Sequence, residues 1–85
     1  MIAKLNKNQF DYLKYSLSKE EISKLKLIHV DNENQFVSIE VDEDIADRIR
    51  DWASDELQKK GFDINYELNY DGKLLEELID IFYVQ

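Results

Sequence analysis

The 85-residue sequence contains no cysteine, no proline and only two glycines. The absence of cysteine excludes a disulfide framework and any zinc site built from thiolates. Two glycines are too few for a phosphate-binding glycine loop, and neither GxGxxG nor GxxxxGKS/T occurs. A chain of this length is expected to form one domain, residues 1–85, which must be stabilised by side-chain packing alone.

The sequence also lacks any run of about 18 apolar residues, which a membrane-spanning helix would need. Hydrophobic residues make up 44% of the chain and aromatic residues 12%, enough to predict a folded core rather than disorder. We therefore expect a soluble, cytoplasmic protein. Its composition, rich in lysine, asparagine and isoleucine, favours a bacterial source.

Side chains suited to catalysis are scarce. His29 is the only histidine and lies in an apolar, strand-like segment, where a structural role, partly buried or at the rim of the core, is expected. Pairs of carboxylates arise by chance in so acidic a chain, and a glycosidase would need a cleft that 85 residues rarely enclose. The segment "DNENQFVSIEVD" fails as a calcium loop because Phe36 replaces the required glycine and Asp42 the final glutamate. We predict no enzymatic activity, no cofactor and no bound metal.

The N-terminal half predicts two helices and a β-hairpin. "NKNQFDYLKYSLS" has apolar residues at helical spacing and starts at Asn6 or Asn8, and a second, short helix starts at the capping box of Ser18 and Glu21. "KLIHVDNENQFVSIEV" alternates around a polar turn, which is typical of a hairpin. Its second arm directs Val37, Ile39 and Val41 to one face, with Phe36 on the other.

The C-terminal half predicts two further helices. Residues 43–60 have apolar residues at helical spacing, an N-cap at Asp42 and a helix-ending glycine at Gly61. "GKLLEELIDIFYV" is the last helix, apolar around most of its circumference. Between them, "FDINYELNY" is either a third strand, because alternate residues are apolar, or an ordered loop leading to a helix capped at Asn69. The prediction is an α+β fold in the order α-α-β-β-α-(β)-α, a small antiparallel sheet packed against three to four helices.

Charge is distributed unevenly along the chain. Residues 1–30 hold six lysines and three acidic residues, a net charge of +3, whereas residues 31–85 hold 16 acidic and five basic residues, a net charge of −11. Nucleic acid and anionic membranes are poor partners for such a surface, and a basic protein is a good one.

Four aspartates of the long helix form the clearest surface feature: Asp44, Asp47, Asp51 and Asp55. At about 100° per residue they fall within about 80° of one another around the helix axis. Like charges one turn apart repel by about 0.2–0.5 kcal/mol per pair, so the arrangement favours a docking surface for a basic partner. Tyr66 and Tyr70 lie in the same acidic half and are predicted as aromatic contacts, because tyrosine is enriched at binding hot spots.

The stretch "DWASDELQKKGFDINYELNYDGKLLEELIDIFYV" resembles the C-terminal half of immunity proteins (antitoxins) of bacterial polymorphic toxin systems. The shared features are "DWAS", "GFD.NYEL" and "GK.LE.LID.FY". The resemblance implies a protein that binds and blocks a toxin encoded nearby, commonly a nuclease with a basic cleft. It covers about 35 residues and assigns no binding residue.

Two other interpretations fit the same residues. The chain is a structural or assembly module, such as a phage or complex accessory subunit, whose aspartates are only solvated surface. Alternatively it is a phage-type nuclease inhibitor that mimics DNA. Asp44 to Asp55 spans about 16 Å, or one charge per about 4–5 Å, against about 1.7 Å in duplex DNA, which argues against complete mimicry. The sequence leaves the oligomeric state open.

Overall fold

A three-stranded antiparallel sheet and four helices make up the computed structural model, which describes residues 1–83 and has an α+β fold, as predicted. The strands lie in the order β1-β3-β2. The elements are, in chain order, β1 (Ile2–Asn6), α1 (Lys7–Ser16), α2 (Lys19–Ser23), β2 (Lys26–Asp31), β3 (Phe36–Glu40), α3 (Glu43–Lys60) and α4 (Tyr70–Ile81).

The chain divides into two compact units. The first comprises Met1–Ile45, and the second begins at Ala46. Helix α3 starts in the first unit and continues into the second. Within residues 1–83, no helix combines the length and the apolar character needed to cross a bilayer.

The sheet of the first unit has one buried and one open face. Ala3 and Leu5 of β1 pair with Ile39 and Val37 of β3, and all four side chains are buried. Helix α1 packs against β1 and β3. The opposite face is solvent-accessible and largely polar, and there the ammonium of Lys4 lies 4.5 Å from the ring centroid of the partly buried Phe36. The burial of Val37, Ile39 and Val41 confirms the face predicted for the second hairpin arm.

Local capping signals set the helix starts in the first unit. The Oδ1 atom of Asn6 accepts from the N–H of Gln9 at 2.8 Å, and Gln9 Oε1 accepts from the N–H of Asn6 at 2.9 Å. These reciprocal bonds identify Asn6, and not Asn8, as the N-cap of α1. At α2, the Oγ atom of Ser18 accepts from the N–H of Glu21 at 3.2 Å, which confirms the predicted N-cap, and the Ser18 hydroxyl donates to the Glu21 carboxylate at 3.0 Å.

Helix α3 has the bounds predicted from the sequence. The N–H of Ile45 donates to Asp42 Oδ1 at 2.8 Å, which confirms the N-cap. Within the second unit, the buried hydrophobic residues lie on α3, on α4 and at the C-cap of α4: Ala46, Ile49, Ala53, Leu74, Leu75, Leu78 and Phe82. Trp52 is partly buried on α3.

Three local expectations need correction. The third strand is β1 at the N-terminus, and the segment 63–70 is instead the ordered loop that the sequence left as the alternative, with one isolated bridge between Phe62 and Leu68. Gly61 does not adopt the left-handed conformation common after helices, because no glycine in the described part of the chain has a positive φ. His29 is exposed rather than partly buried, because it pairs with Ser38 on the open face of the sheet.

Candidate partner-binding site

The four predicted aspartates of α3 are all exposed to solvent. Asp44, Asp47, Asp51 and Asp55 lie on the polar side of the helix, while its apolar side carries the buried Ile49 and other core residues. We call these four residues the acidic stripe. Their side chains are available to a partner, as the helical spacing predicts.

The ion pairs of α3 neutralise only part of the acidic stripe. Asp47 pairs with Arg50, three residues on. The guanidinium of Arg50 also lies 5.3 Å from the ring centroid of Tyr83, which holds that side chain along the helix.

Asp44, Asp51 and Asp55 are the uncompensated members of the acidic stripe. Within residues 1–83, none of these three carboxylates takes part in an ion pair or a side-chain hydrogen bond. Lys60 instead pairs with Glu56, at 3.3 Å between Nζ and Oε2. A cationic side chain from another protein would therefore meet no competing cation at Asp51 or Asp55.

Residues 61–69 form a tight loop between α3 and α4, organised by the side chain of Asp63. Its Oδ1 atom accepts from the N–H groups of Asn65, at 2.8 Å, and Glu67, at 3.0 Å. The main chain closes the same turn, because the N–H of Asp63 donates to the carbonyl of Glu67 at 2.8 Å and that of Tyr66 donates to the carbonyl of Asp63 at 3.0 Å. Aspartate side chains commonly stabilise turns in this way. Hydrogen bonds therefore fix the loop conformation internally.

Hydrogen bonds of Asn69 connect the end of this loop to both helices. Its side-chain amide donates to the carbonyl of Lys60 at 2.7 Å, and its main-chain N–H donates to the carbonyl of Gly61 at 3.0 Å. Its Oδ1 atom accepts from the N–H of Gly72 at 2.7 Å and caps α4. One residue thus ties the loop to the last turn of α3 and the first turn of α4, which leaves the loop little freedom.

The loop presents large apolar side chains to solvent. Ile64 is 93% exposed, Tyr66 87%, and Tyr70, the first residue of α4, 67%. Tyr66 has a φ of 63°, in the left-handed region that residues other than glycine and asparagine rarely adopt. Such backbone strain clusters at binding and catalytic sites. The structure therefore places both predicted tyrosines at the surface, and places Tyr66 at the tightest point of the turn.

Sequence reasoning missed Ile64 as a member of this surface. Its alternation with Tyr66 and Leu68 favoured a strand, and Ile64 was not singled out as a contact residue. The turn-forming side chain of Asp63 was the signal available in the sequence, because aspartate followed closely by asparagine favours a turn. No hydrogen bond or ion pair in the described residues joins the acidic stripe to Ile64, Tyr66 or Tyr70.

The acidic stripe exposes carboxylates, and the loop exposes phenols and aliphatic carbon. Within residues 1–83, no group of three or more histidine, aspartate or glutamate side chains is arranged to hold a metal ion. No protein-family model, curated protein or solved structure shows significant similarity to this chain.

Proposed function

We propose that this protein is an immunity protein that binds and neutralises a basic toxin domain, most simply a nuclease, encoded beside it. The observation that carries the proposal is the exposure of Ile64, Tyr66 and Tyr70 on a loop whose conformation is fixed by its own hydrogen bonds. A soluble protein gains nothing in its free state from exposing three large apolar side chains on a strained, ordered loop. A partner that buries them explains the arrangement.

The rigidity of the loop supports tight binding. Association is costly when loops and side chains must be ordered at the interface, and a preorganised loop avoids that cost. Asp63 and Asn69 order the loop in the free protein. Tyrosine then supplies a large contact area with few rotatable bonds, which is why it is common at hot spots.

The charge of the chain supports the choice of partner. A nuclease cleft is basic because it holds phosphates, and the acidic stripe offers Asp51 and Asp55, which have no ion-pair partner among residues 1–83. Complementary charge accelerates encounter and suppresses wrong partners. The acidic stripe is too sparse to replace a whole duplex, but it matches several phosphate positions.

The proposal is tested by producing this chain together with the product of the adjacent gene in a bacterial host. We expect that product alone to arrest growth, the pair to restore growth, and the two proteins to copurify. The association rate should fall as salt rises, because screening shortens the reach of the acidic surface.

Three outcomes contradict the proposal. These are growth arrest that persists when the chain is present, an association rate independent of salt, and binding of the isolated chain to duplex DNA at physiological salt. Copurification in a stoichiometric complex without any effect on growth would identify the chain as an assembly module instead.

A further inference from the structure

Strand β2 leaves one edge of the sheet without a partner strand in the described part of the chain. The strand order β1-β3-β2 places β3 on one side of β2 only. Leu27, Ile28 and Val30 of this strand are 55%, 47% and 44% exposed. Unpaired main-chain groups beside exposed apolar side chains form a template for a further strand.

The sequence of β2, KLIHVD, is complementary to itself when two copies run antiparallel. With the two-fold axis between Ile28 and His29, Lys26 lies opposite Asp31 of the second copy, and Asp31 opposite its Lys26. Two such copies therefore place an opposite-charge pair at each end of the joint. Opposite charges directly across an antiparallel pair are favourable, and like charges are not.

The apolar residues agree with the same alignment. Leu27 would lie opposite Val30 of the second copy, and both belong to one face of the sheet, because they pair with Ile39 and Val37 of β3, which are buried. Lys26 pairs with Glu40, on the opposite face. A shift of one residue would place side chains from opposite faces of the sheet across from each other. Both the faces and the charges of the residues therefore favour this alignment.

A groove beside β2 is lined in part by the exposed apolar residues of this strand. It has a volume of about 260 Å³ and lies between α1 and β2, within the first unit. Leu27, Val30 and Phe10 line it, and the ammonium of Lys14 lies 5.0 Å from the Phe10 ring centroid. Leu27 and Val30 of a second copy would extend this apolar surface across the axis.

We propose that β2 is a homodimerisation edge, through which two copies join into a continuous six-stranded antiparallel sheet. The bulge between Leu27 and His29 falls on the axis and interrupts both strands at the same point. The regular pairing is therefore confined to the two ends, where the charge pairs lie, and the dimer is reversible. The proposal is independent of the acidic stripe and of the 61–69 loop.

The test is sedimentation equilibrium of the whole chain across the micromolar to low-millimolar range. Wild type should dimerise, and Lys26→Asp should raise the dimer Kd by about tenfold or more, because both charge pairs become repulsive. Lys19→Asp, an equal charge change on exposed α2, should leave the Kd unchanged. Combining Lys26→Asp with Asp31→Lys should restore dimerisation, because the charges are exchanged rather than lost.

A second measurement needs no variant and therefore no assumption about folding. Amide hydrogen exchange in β2 of the wild-type chain should slow as protein concentration rises, while exchange at the other edge strand, β1, should not. A monomer at every concentration overturns the proposal. So does an equal effect of Lys19→Asp and Lys26→Asp, or slowed exchange at β1 rather than β2. Protection of β2 only in the presence of the adjacent gene's product would assign the edge to a different protein.

Discussion

The main chain of Gly72, in the first turn of α4, lies directly against the carbonyl oxygen of Gly61, at the end of α3. A side chain at position 72 would overlap that carbonyl, and the neighbouring backbone cannot rotate away as a flexible side chain could. Gly61 is similarly confined, because a Cβ there would lie 2.6 Å from the carbonyl oxygen of Leu57. Each glycine thus lies where a side chain would overlap a main-chain carbonyl, Gly61 that of Leu57 and Gly72 that of Gly61.

Replacement of Gly72 by alanine should therefore destabilise the protein. Alanine favours a helix by about 1 kcal/mol over glycine, but the overlap with Gly61 outweighs that gain. We expect a net loss of about 1–3 kcal/mol in the free energy of unfolding, measured by urea denaturation. Lys73→Ala, at an exposed neighbouring position of α4, should change it by about 0.5 kcal/mol or less. A Gly72→Ala variant as stable as wild type would show that the two backbones do not touch.

The helices were predictable because their signals are local. Asp42 and Asn69 each accept from a main-chain N–H three residues on, and both pairs of residues are visible in the sequence. Strand β1 was not predictable in this way. Its pairing with β3 joins residues 30 to 38 positions apart, and only Ala3 and Leu5 mark its inward face.

The candidate site was predictable in part, for similar physical reasons. Helical spacing alone places the acidic stripe on one side of α3. The ion pair of Asp47 with Arg50 depends on how the arginine side chain lies against Tyr83, which spacing does not determine. At 63–70, the alternation of apolar residues favoured a strand. The carboxylate of Asp63 instead accepts hydrogen bonds from main-chain N–H groups that a strand would have used for pairing.

The hydrogen bonds of the hairpin turn predict how its contribution to stability depends on pH. The side chain and main-chain N–H of Asn34 donate to the carboxylate of Asp31 and hold its pKa below the ordinary aspartate value. Since the pKa is lower in the folded state, this contribution to stability is present above the unfolded-state pKa and is lost as pH falls through the folded-state pKa. Asn34→Ala should raise the pKa of Asp31 towards its ordinary value, as followed by NMR titration of the carboxyl carbon.

A matched variant separates this effect from a general change in the turn. Asn32 contributes its main-chain carbonyl to Gln35, at 2.7 Å from the Gln35 amide nitrogen, and that bond survives truncation of the side chain. Asn32→Ala should therefore leave the pKa of Asp31 where it is. An equal rise in both variants would count against the Asn34 side chain as the cause.

The acidic stripe offers a prediction in which stability and affinity change in different directions. Asp51 has like charges one turn away on both sides and no cation to compensate it within residues 1–83. Asp51→Asn and Asp55→Asn should leave the free energy of unfolding equal or raise it by up to about 0.5 kcal/mol, because a repulsion is removed. Each should weaken binding of the proposed toxin partner by about 1 kcal/mol or more, measured by calorimetry, because a cation of that partner loses its counter-charge.

The control for the acidic stripe is Asp80→Asn, which removes the same charge from an exposed position of α4. If net charge alone drives binding, Asp80→Asn will weaken it as much as Asp51→Asn. Unchanged affinity in both α3 variants would move the interface away from the acidic stripe, to Tyr66 and Tyr70 or to the open face of the sheet.

Substitution of Tyr66 should separate an effect on folding stability from an effect on partner affinity more clearly than any other change. Its left-handed backbone is costly for tyrosine and better tolerated by asparagine, and its side chain is 87% exposed, so folding gains little from the ring. Tyr66→Asn should therefore leave the free energy of unfolding equal or raise it by up to about 1 kcal/mol. Affinity for the toxin partner should fall by about 2 kcal/mol or more if the ring is a hot spot.

Tyr15→Ala is the matched control, because Tyr15 is 91% exposed on α1, outside the loop. Thermal denaturation of each free variant and calorimetric titration with the partner decide the question. A Tyr66→Asn variant that binds as tightly as wild type would leave the strained, exposed loop without a role in recognition.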